Sequence, residues 1–293
     1  MIHQVENRGL CWWCGALSNS REHKVKKTDV NRIYGKGPYK LEKLGLYNIG
    51  LDSGNHPKPI QSSDSDYLKF EKCICQKCNN ERSMPFDRAY DTFMDYIDKN
   101  LDSLKEEGYV DVRKIYGRDY VEQKMNLFRY YSKHICCRLA INGYNIPSNI
   151  IQFLNRETSL KDINFQFQIK QYKIFFDKDS DESLQQLYIG EIKFHEHLIN
   201  KKIIAVTGWY TYKQFSMNYV VSKNIIPRHY VLSKLFFYKR KIKLEKIDYS
   251  RFIELSGISD ERMISILVKL EEFPHINDFT GEFRLKALLN YKM

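Results

Sequence analysis

An α+β fold is what this 293-residue sequence predicts, and three observations lead there. Five of its seven cysteines fall within the first 78 residues, a clustering that points to a bound metal. From Pro85 to about residue 155 apolar side chains recur at helical spacing. Beyond residue 162 the period drops to two, and after residue 250 it returns to a helical one. Strands in a row followed by helices indicate an α+β segment with a mixed, largely antiparallel sheet. The chain therefore divides into a cysteine-bearing module at 1–105, a helical connector at 106–160 and an α+β part at 161–293, and its length fits more than one domain at about 150 residues each.

Each element has a local reason. Residues 7–34 open on a cysteine knuckle and run into a lysine-rich, apolar-poor segment. Residues 35–66 carry Gly, Pro, Ser and Asp at loop density, which predicts a surface insertion. Tyr67 to Ile74 reads as a strand that leads straight into a second knuckle. Pro85 then opens a helix with Phe86, Ala89, Tyr90, Phe93, Met94 and Ile97 on one face. A second helix spans about 119–141, with Val121, Phe128, Tyr131, Ile135 and Leu139 as its stripe and Gly143 near its end, and a short third helix follows Pro147. Four stretches, beginning at residues 163, 187, 202 and 215, read as strands rich in Ile, Val, Phe and Tyr. Phe252, Leu255, Ile258 and the group from Met263 to Leu270 mark closing helices.

Composition excludes whole classes. With 43% hydrophobic and 14% aromatic residues the chain can bury a sizeable core, so disorder over most of its length is ruled out. The longest uncharged run, Leu139 to Asn155, carries four asparagines, a glycine and a proline, which does not suit a membrane span. The first residues lack a basic segment leading into an apolar stretch, so a cytoplasmic location is expected. A net charge of +11 favours a polyanionic partner. The excess lies at the two ends: ten Lys/Arg against five Asp/Glu in residues 1–60, fourteen against fourteen in 61–150, and twenty-three against seventeen in 151–293.

Cys11-Trp-Trp-Cys14-Gly and Cys75-Gln-Lys-Cys78-Asn have the spacing at which two thiolates bite one ion, and two such pairs supply the four tetrahedral ligands of a structural Zn²⁺. Cys73 with Cys75 is the alternative biting pair, while Cys136 and Cys137 sit inside an amphipathic helix as buried thiols. Between the knuckles, Arg21-Glu22-His23-Lys24-Val25-Lys26-Lys27 joins a carboxylate and an imidazole to a run of lysines. That combination suits phosphodiester hydrolysis: a neutral imidazole deprotonates water, and the carboxylate helps hold a divalent cation that neutralises developing charge. Asn79, directly after the last cysteine, offers an amide oxygen to the same cation.

The order CxxCG, Arg-Glu-His, CxxCN and then a helix resembles the zinc-stapled branch of the HNH, or ββα-metal, endonucleases. The resemblance covers about residues 9–100. It implies a hairpin-and-helix module pinned by zinc at Cys11, Cys14, Cys75 and Cys78, with His23 as general base and Glu22 and Asn79 as ligands of Mg²⁺ or Mn²⁺. Asp87 and Arg82 fall where the family places further helix-borne residues that touch metal or phosphate. Asp87 stands eight residues past Asn79, where many members carry a histidine, and 52 positions separate His23 from Cys75, more than a compact module needs. The implied activity is endonucleolytic cleavage, with DNA as substrate. Many members serve in restriction or anti-phage defence, which extends the expectation to phage defence.

The lysines 24, 26 and 27 are expected on flanking phosphates. Lys239, Arg240 and Lys241, in a segment that mixes basic and aromatic residues, read equally as a nucleic-acid groove or as an amphipathic element with its aromatics in the core. His195-Glu-His197 reads as a solvent-facing strand rather than a metal pair. Two other functional classes fit the same letters: a non-catalytic zinc ribbon that binds nucleic acid, and an interaction or sensor protein in which residues 161–293 contact a protein partner or a second copy.

Overall fold

The computed structural model describes residues 2–5, 9–38, 46–48, 58–158, 160, 162–170, 187–189, 192–197, 200, 202–222 and 239–247. The closing helices expected after residue 250 lie outside the described residues.

Helix α1, Lys27–Tyr34, follows the Arg-Glu-His segment directly. Its first-turn acid, Asp29, is fully buried and accepts hydrogen bonds from Tyr90 and Tyr210, each at 2.6 Å, while Arg32 pairs with its other oxygen. A lysine-rich segment with few apolar residues becomes a helix because this buried carboxylate anchors it to two other elements. Part of the expected insertion also pairs. Strands β1, Leu46–Asn48, and β2, Lys58–Ile60, form an antiparallel pair, and Ile60 packs with Val25, Val30 and Leu68.

Residues 18–24 run antiparallel to 68–75, through Ser20 N to Ile74 O (3.0 Å), Phe70 N to Glu22 O (2.8 Å) and Lys24 N to Leu68 O (2.6 Å). A π-helical segment, Lys77–Arg82, then leads into α2, Met84–Glu107, with Pro85 in its first turn. The helix stops at Gly108, whose positive φ of 69° frees its N–H to bond Leu104 O. Its buried face holds the expected Phe86, Ala89, Tyr90, Phe93, Met94 and Ile97, with Leu104 added. After β3, Tyr109–Asp111, come the short α3, Val112–Tyr116, then α4, Tyr120–Ile141, and α5, Ser148–Leu154.

Strands β4 Ile163–Lys170, β5 Leu187–Ile189, β6 Lys193–Glu196, β7 Ile203–Tyr212, β8 Phe215–Val221 and β9 Lys241–Ile247 complete the described elements. They form one seven-stranded mixed sheet in the order β3-β9-β4-β8-β7-β5, with β6 also on β7; every pairing is antiparallel except β4 with β9. The fold is thus α+β, as the sequence implies. Two strands of this sheet were not expected, β3, in the connector, and β9, which takes up part of the basic-aromatic segment, and the single stretch expected from residue 187 divides into β5 and β6.

Helices α2 and α4 cover one face of the sheet. Phe93 meets Phe215 at 5.8 Å and Phe167 at 6.3 Å between ring centroids, and Phe128 meets Phe165 at 5.1 Å. One hydrophobic core runs from Ile2 and the knuckle residues Cys11 and Trp13 through both helices to Leu244 of β9. The helix α4 is buried almost all round, charged residues included: Lys124, Arg129, Lys133 and Arg138 join the apolar stripe below the surface. Among the described residues no helix is long and apolar enough to cross a membrane.

Candidate metal centre and adjoining polar cluster

The first knuckle is a tight turn closed by Gly15 N to Cys11 O (2.9 Å) and Cys11 N to Ala16 O (2.6 Å), with Gly15 at a φ of 76° that a side chain would strain. The strand expected over Tyr67 to Ile74 is instead a 3-10 turn at Asp66–Leu68 followed by an extended segment joined by single bridges. The second knuckle sits where that segment passes into the π-helical one, so Cys78 follows Cys75 by about one helical turn and Asn79 N bonds Cys75 O (2.9 Å). Trp12 N to Cys73 O (3.1 Å) and Gln76 N to Asn19 Oδ1 (2.8 Å) hold the two knuckles side by side. As a result, the sulfurs of Cys11, Cys14, Cys75 and Cys78 all lie within 4.8 Å of one another. Tetrahedral Zn–S bonds of about 2.3 Å imply S–S separations near 3.8 Å, so the donor set fits an ion such as zinc. Cys73 lies apart, packed with Phe70 and Cys137, so among the described residues the biting pair is Cys75 with Cys78.

Arg82 serves this centre. Its Nη1 donates to Cys78 Sγ at 3.4 Å, its guanidinium lies 4.4 Å from the centre of the Trp13 ring, and Nη2 joins Trp13 Nε1 on Asn155 Oδ1, at 2.6 and 2.9 Å. Four thiolates around a divalent ion carry a net negative charge, and a guanidinium that donates to one sulfur offsets part of it. An R82M variant is therefore expected to hold zinc about tenfold to a hundredfold more weakly in competition with a chromophoric chelator; retention equal to the wild type would remove Arg82 from the centre.

The extended segment 18–24 distributes the remaining candidates over two sides, because successive side chains of an extended chain alternate. Ser20 and Glu22 share one side. There Asn79 Nδ2 donates to Ser20 Oγ at 3.0 Å, and Glu22 Oε2 accepts from Lys133 Nζ at 3.0 Å. Lys133 also reaches Ser83 Oγ at 3.2 Å and Asp87 Oδ2 at 3.5 Å, while Lys26 Nζ binds the other Asp87 oxygen at 2.9 Å and Asp91 at 3.3 Å. Burial pushes the Glu22 carboxyl above its ordinary range against the pull of Lys133. Asp87 is also desolvated, yet Lys133 and Lys26 hold its carboxyl below the ordinary range. The two carboxylates likewise outweigh the burial of Lys133 and keep its amine protonated.

Arg21 and His23 occupy the other side. Arg21 pairs with Asp66 at 2.6 Å, and His23 Nε2 lies 3.6 Å from Asp64 Oδ1 without a hydrogen bond. Burial, reinforced by Lys69, lowers the His23 pKa, so the imidazole is neutral at pH 7. Two buried polar atoms in this region lack hydrogen-bond partners: His23 Nε2 and Asn79 Oδ1.

Of the basic residues singled out in the sequence, Lys26 and Arg82 are committed to protein partners, as described above. Lys27 is exposed and Lys24 half-buried, its carbonyl accepting from His134 Nε2 at 2.8 Å. Lys239, Arg240 and Lys241 are exposed where β9 meets β3; Arg240 forks onto Asp111 at 2.7 and 2.8 Å, and Lys241 lies 3.8 Å from the Tyr109 ring centre. His195 bonds Thr207 at 2.9 Å, and among the described residues the four cysteines are the one group of three or more His, Cys, Asp or Glu side chains close enough together to share a metal. Sequence reasoning missed Lys133, Ser83 and Ser20. The signal for Lys133 was its position four residues before Cys137, a residue read as buried on the same helix. No family model, no curated protein and no solved structure matches this chain.

Proposed function

We propose that the chain is a zinc-stapled, metal-dependent endonuclease of the HNH type that hydrolyses phosphodiesters in DNA. The reading is supported above all by one observation. The four-cysteine cluster adjoins Asn79, whose amide bonds Ser20 on the extended segment that carries Glu22 and His23, and both Asn79 Oδ1 and His23 Nε2 are buried polar atoms that no hydrogen bond satisfies. Buried polar groups are rarely left without a partner, so these two atoms call for one from outside the protein, a water or an ion.

Zinc at Cys11, Cys14, Cys75 and Cys78 is structural in this reading, since four thiolates leave no open position for water. Glu22 and Asn79, with Asp87 behind them, are the oxygen donors suited to Mg²⁺ or Mn²⁺. That ion supplies neutralisation of the charge that develops on the phosphate and the leaving oxygen. His23, neutral at pH 7, takes the proton from a water whose oxygen bonds to phosphorus as the P–O bond to the leaving group breaks. Lys27 lies beside it and Lys24 follows it in the chain to meet flanking phosphates, and the net charge of +11 draws the polyanion in. A role in phage defence is compatible with this chemistry.

A second reading, a zinc ribbon that binds nucleic acid without cutting it, draws on the ion pair of Glu22 with Lys133 and on the alternation that sets His23 and Asn79 on different sides of the extended segment 18–24. One experiment separates the two. Plasmid, single-stranded DNA and RNA are incubated with the zinc-loaded protein and with H23A, in Mg²⁺ or Mn²⁺. Cleavage by the wild type that falls about a hundredfold or more in H23A, with DNA affinity retained, is the expected result. Unchanged cleavage by H23A removes the base role, and binding without cleavage by either protein favours the ribbon.

A further inference from the structure

Glu22 and Asp87 come from different elements and converge on one buried amine. Lys133 Nζ, projecting from α4, donates to Glu22 Oε2 and Ser83 Oγ at 3.0 and 3.2 Å and lies 3.5 Å from Asp87 Oδ2. The residue has no exposed surface. Oxygens from two carboxylates and a hydroxyl around one positive charge form the surroundings that a hard divalent cation also selects. Asn79 precedes Ser83 by one turn and accepts its hydroxyl proton on the main-chain carbonyl, and the Asn79 side-chain oxygen is buried without a partner. Lys26 meanwhile takes the far oxygen of Asp87, so the two carboxylates are balanced by two amines.

We infer that Lys133 is an internal stand-in for a divalent cation: its ammonium fills the oxygen cage of Glu22, Ser83 and Asp87 and keeps the cage closed until a cation displaces it. The inference rests on the cation role proposed for Glu22, and it adds a regulatory element to that site. An ammonium and a divalent ion cannot share a cage a few ångströms across without strong repulsion, so they compete. Occupancy then depends on cation concentration and on whatever withdraws α4 from the cage, rather than on Glu22 and Asp87 alone.

The test is Mn²⁺ binding to the full-length, zinc-loaded protein, followed by electron paramagnetic resonance. K133M is expected to bind Mn²⁺ about tenfold or more tightly than the wild type, because the competing charge is gone while the oxygens remain. K133R, which keeps a cation in the cage, is expected to show no gain, and E22Q added to K133M should abolish it. Equal or weaker Mn²⁺ binding by K133M overturns the inference. K133M also leaves Glu22 buried without its amine and Asp87 with Lys26 alone, so its thermal midpoint should be low without Mn²⁺ and recover in its presence; a K133M protein that stays unfolded in millimolar Mn²⁺ likewise overturns it. Gain of Mn²⁺ affinity with no cleavage by any variant upholds the cage and rejects the nuclease. Cleavage by the wild type with no gain in K133M does the reverse.

Discussion

Stripping the metal from the four-cysteine centre is expected to unfold the first part of the chain as a unit and to lower the stability of the whole. The segments that carry the ligands have little else to hold them: residues 9–23 contain no strand or helix of their own and meet 68–75 through single bridges. Zinc bound by four thiolates contributes about 10 kcal/mol or more to small domains of this kind, far above what a few backbone hydrogen bonds supply. The centre is also joined to the general core, since Cys11, Cys75 and Cys78 are buried in it together with Trp13 and Phe86. Trp13 stacks on Trp12 at 5.6 Å and on Phe86 at 6.1 Å, which provides an intrinsic probe. A high-affinity chelator, or the C78S substitution, should shift tryptophan emission to the red and take the thermal midpoint down by well over ten degrees, with readdition of zinc reversing the chelator's effect. Emission and midpoint that hold steady once the zinc has left would show that packing alone keeps the knuckles together.

Local chemistry explains which features could be read from the letters. The two CxxC pairs sit at fixed short spacing, and the helix after Pro85 repeats its apolar face every three to four residues, so neither depends on distant partners. The features that escaped all depend on such partners. Helix α1 is held by Asp29 reaching Tyr90 and Tyr210, contacts 61 and 181 residues away in the chain. Strand β3 is short and pairs with β9 across about 130 residues, and β9 runs through a basic segment whose alternation, Ile242 and Leu244 inward with Lys241 and Lys243 outward, is hidden by the surrounding charge. Lys133 was masked for the same reason. A lysine inside an amphipathic helix reads as solvent-facing unless the chain brings carboxylates to it, and Glu22 and Asp87 arrive from 111 and 46 residues away. The candidate site was therefore legible as a set of residue types around two knuckles, whereas the division of that set between the two sides of the extended segment 18–24 was not.

His134 should make the protein labile to mild acid, because it is buried in a setting that accepts only its neutral form. It lies on α4 one residue past Lys133, its Nε2–H donating to Lys24 O at 2.8 Å and its ring 5.1 Å from that of Phe70. Burial pushes its pKa down to about 3; Arg138 and Lys133 add repulsion, and the Lys24 carbonyl opposes them only in part. In the unfolded chain the imidazole takes up its proton near its ordinary value of about 6.5. Between those two values the unfolded state binds more protons than the folded one, so folding free energy is lost as the pH falls from about 6.5 towards about 3, at up to about 1.4 kcal/mol per unit. From pH 7 to pH 5 the share due to His134 is about 2 kcal/mol. Weaker zinc binding by protonated thiols erodes stability over the same range, so the wild type alone cannot isolate the histidine. H134Q can: its amide keeps a donor for Lys24 O but takes no proton, while the cysteine contribution stays common to both proteins. Urea midpoints of the two proteins at pH 7 and pH 5 are expected to diverge, with the wild type losing more by about 2 kcal/mol. Parallel losses would mean that the imidazole is reached by solvent, or finds a counter-ion, before the fold gives way.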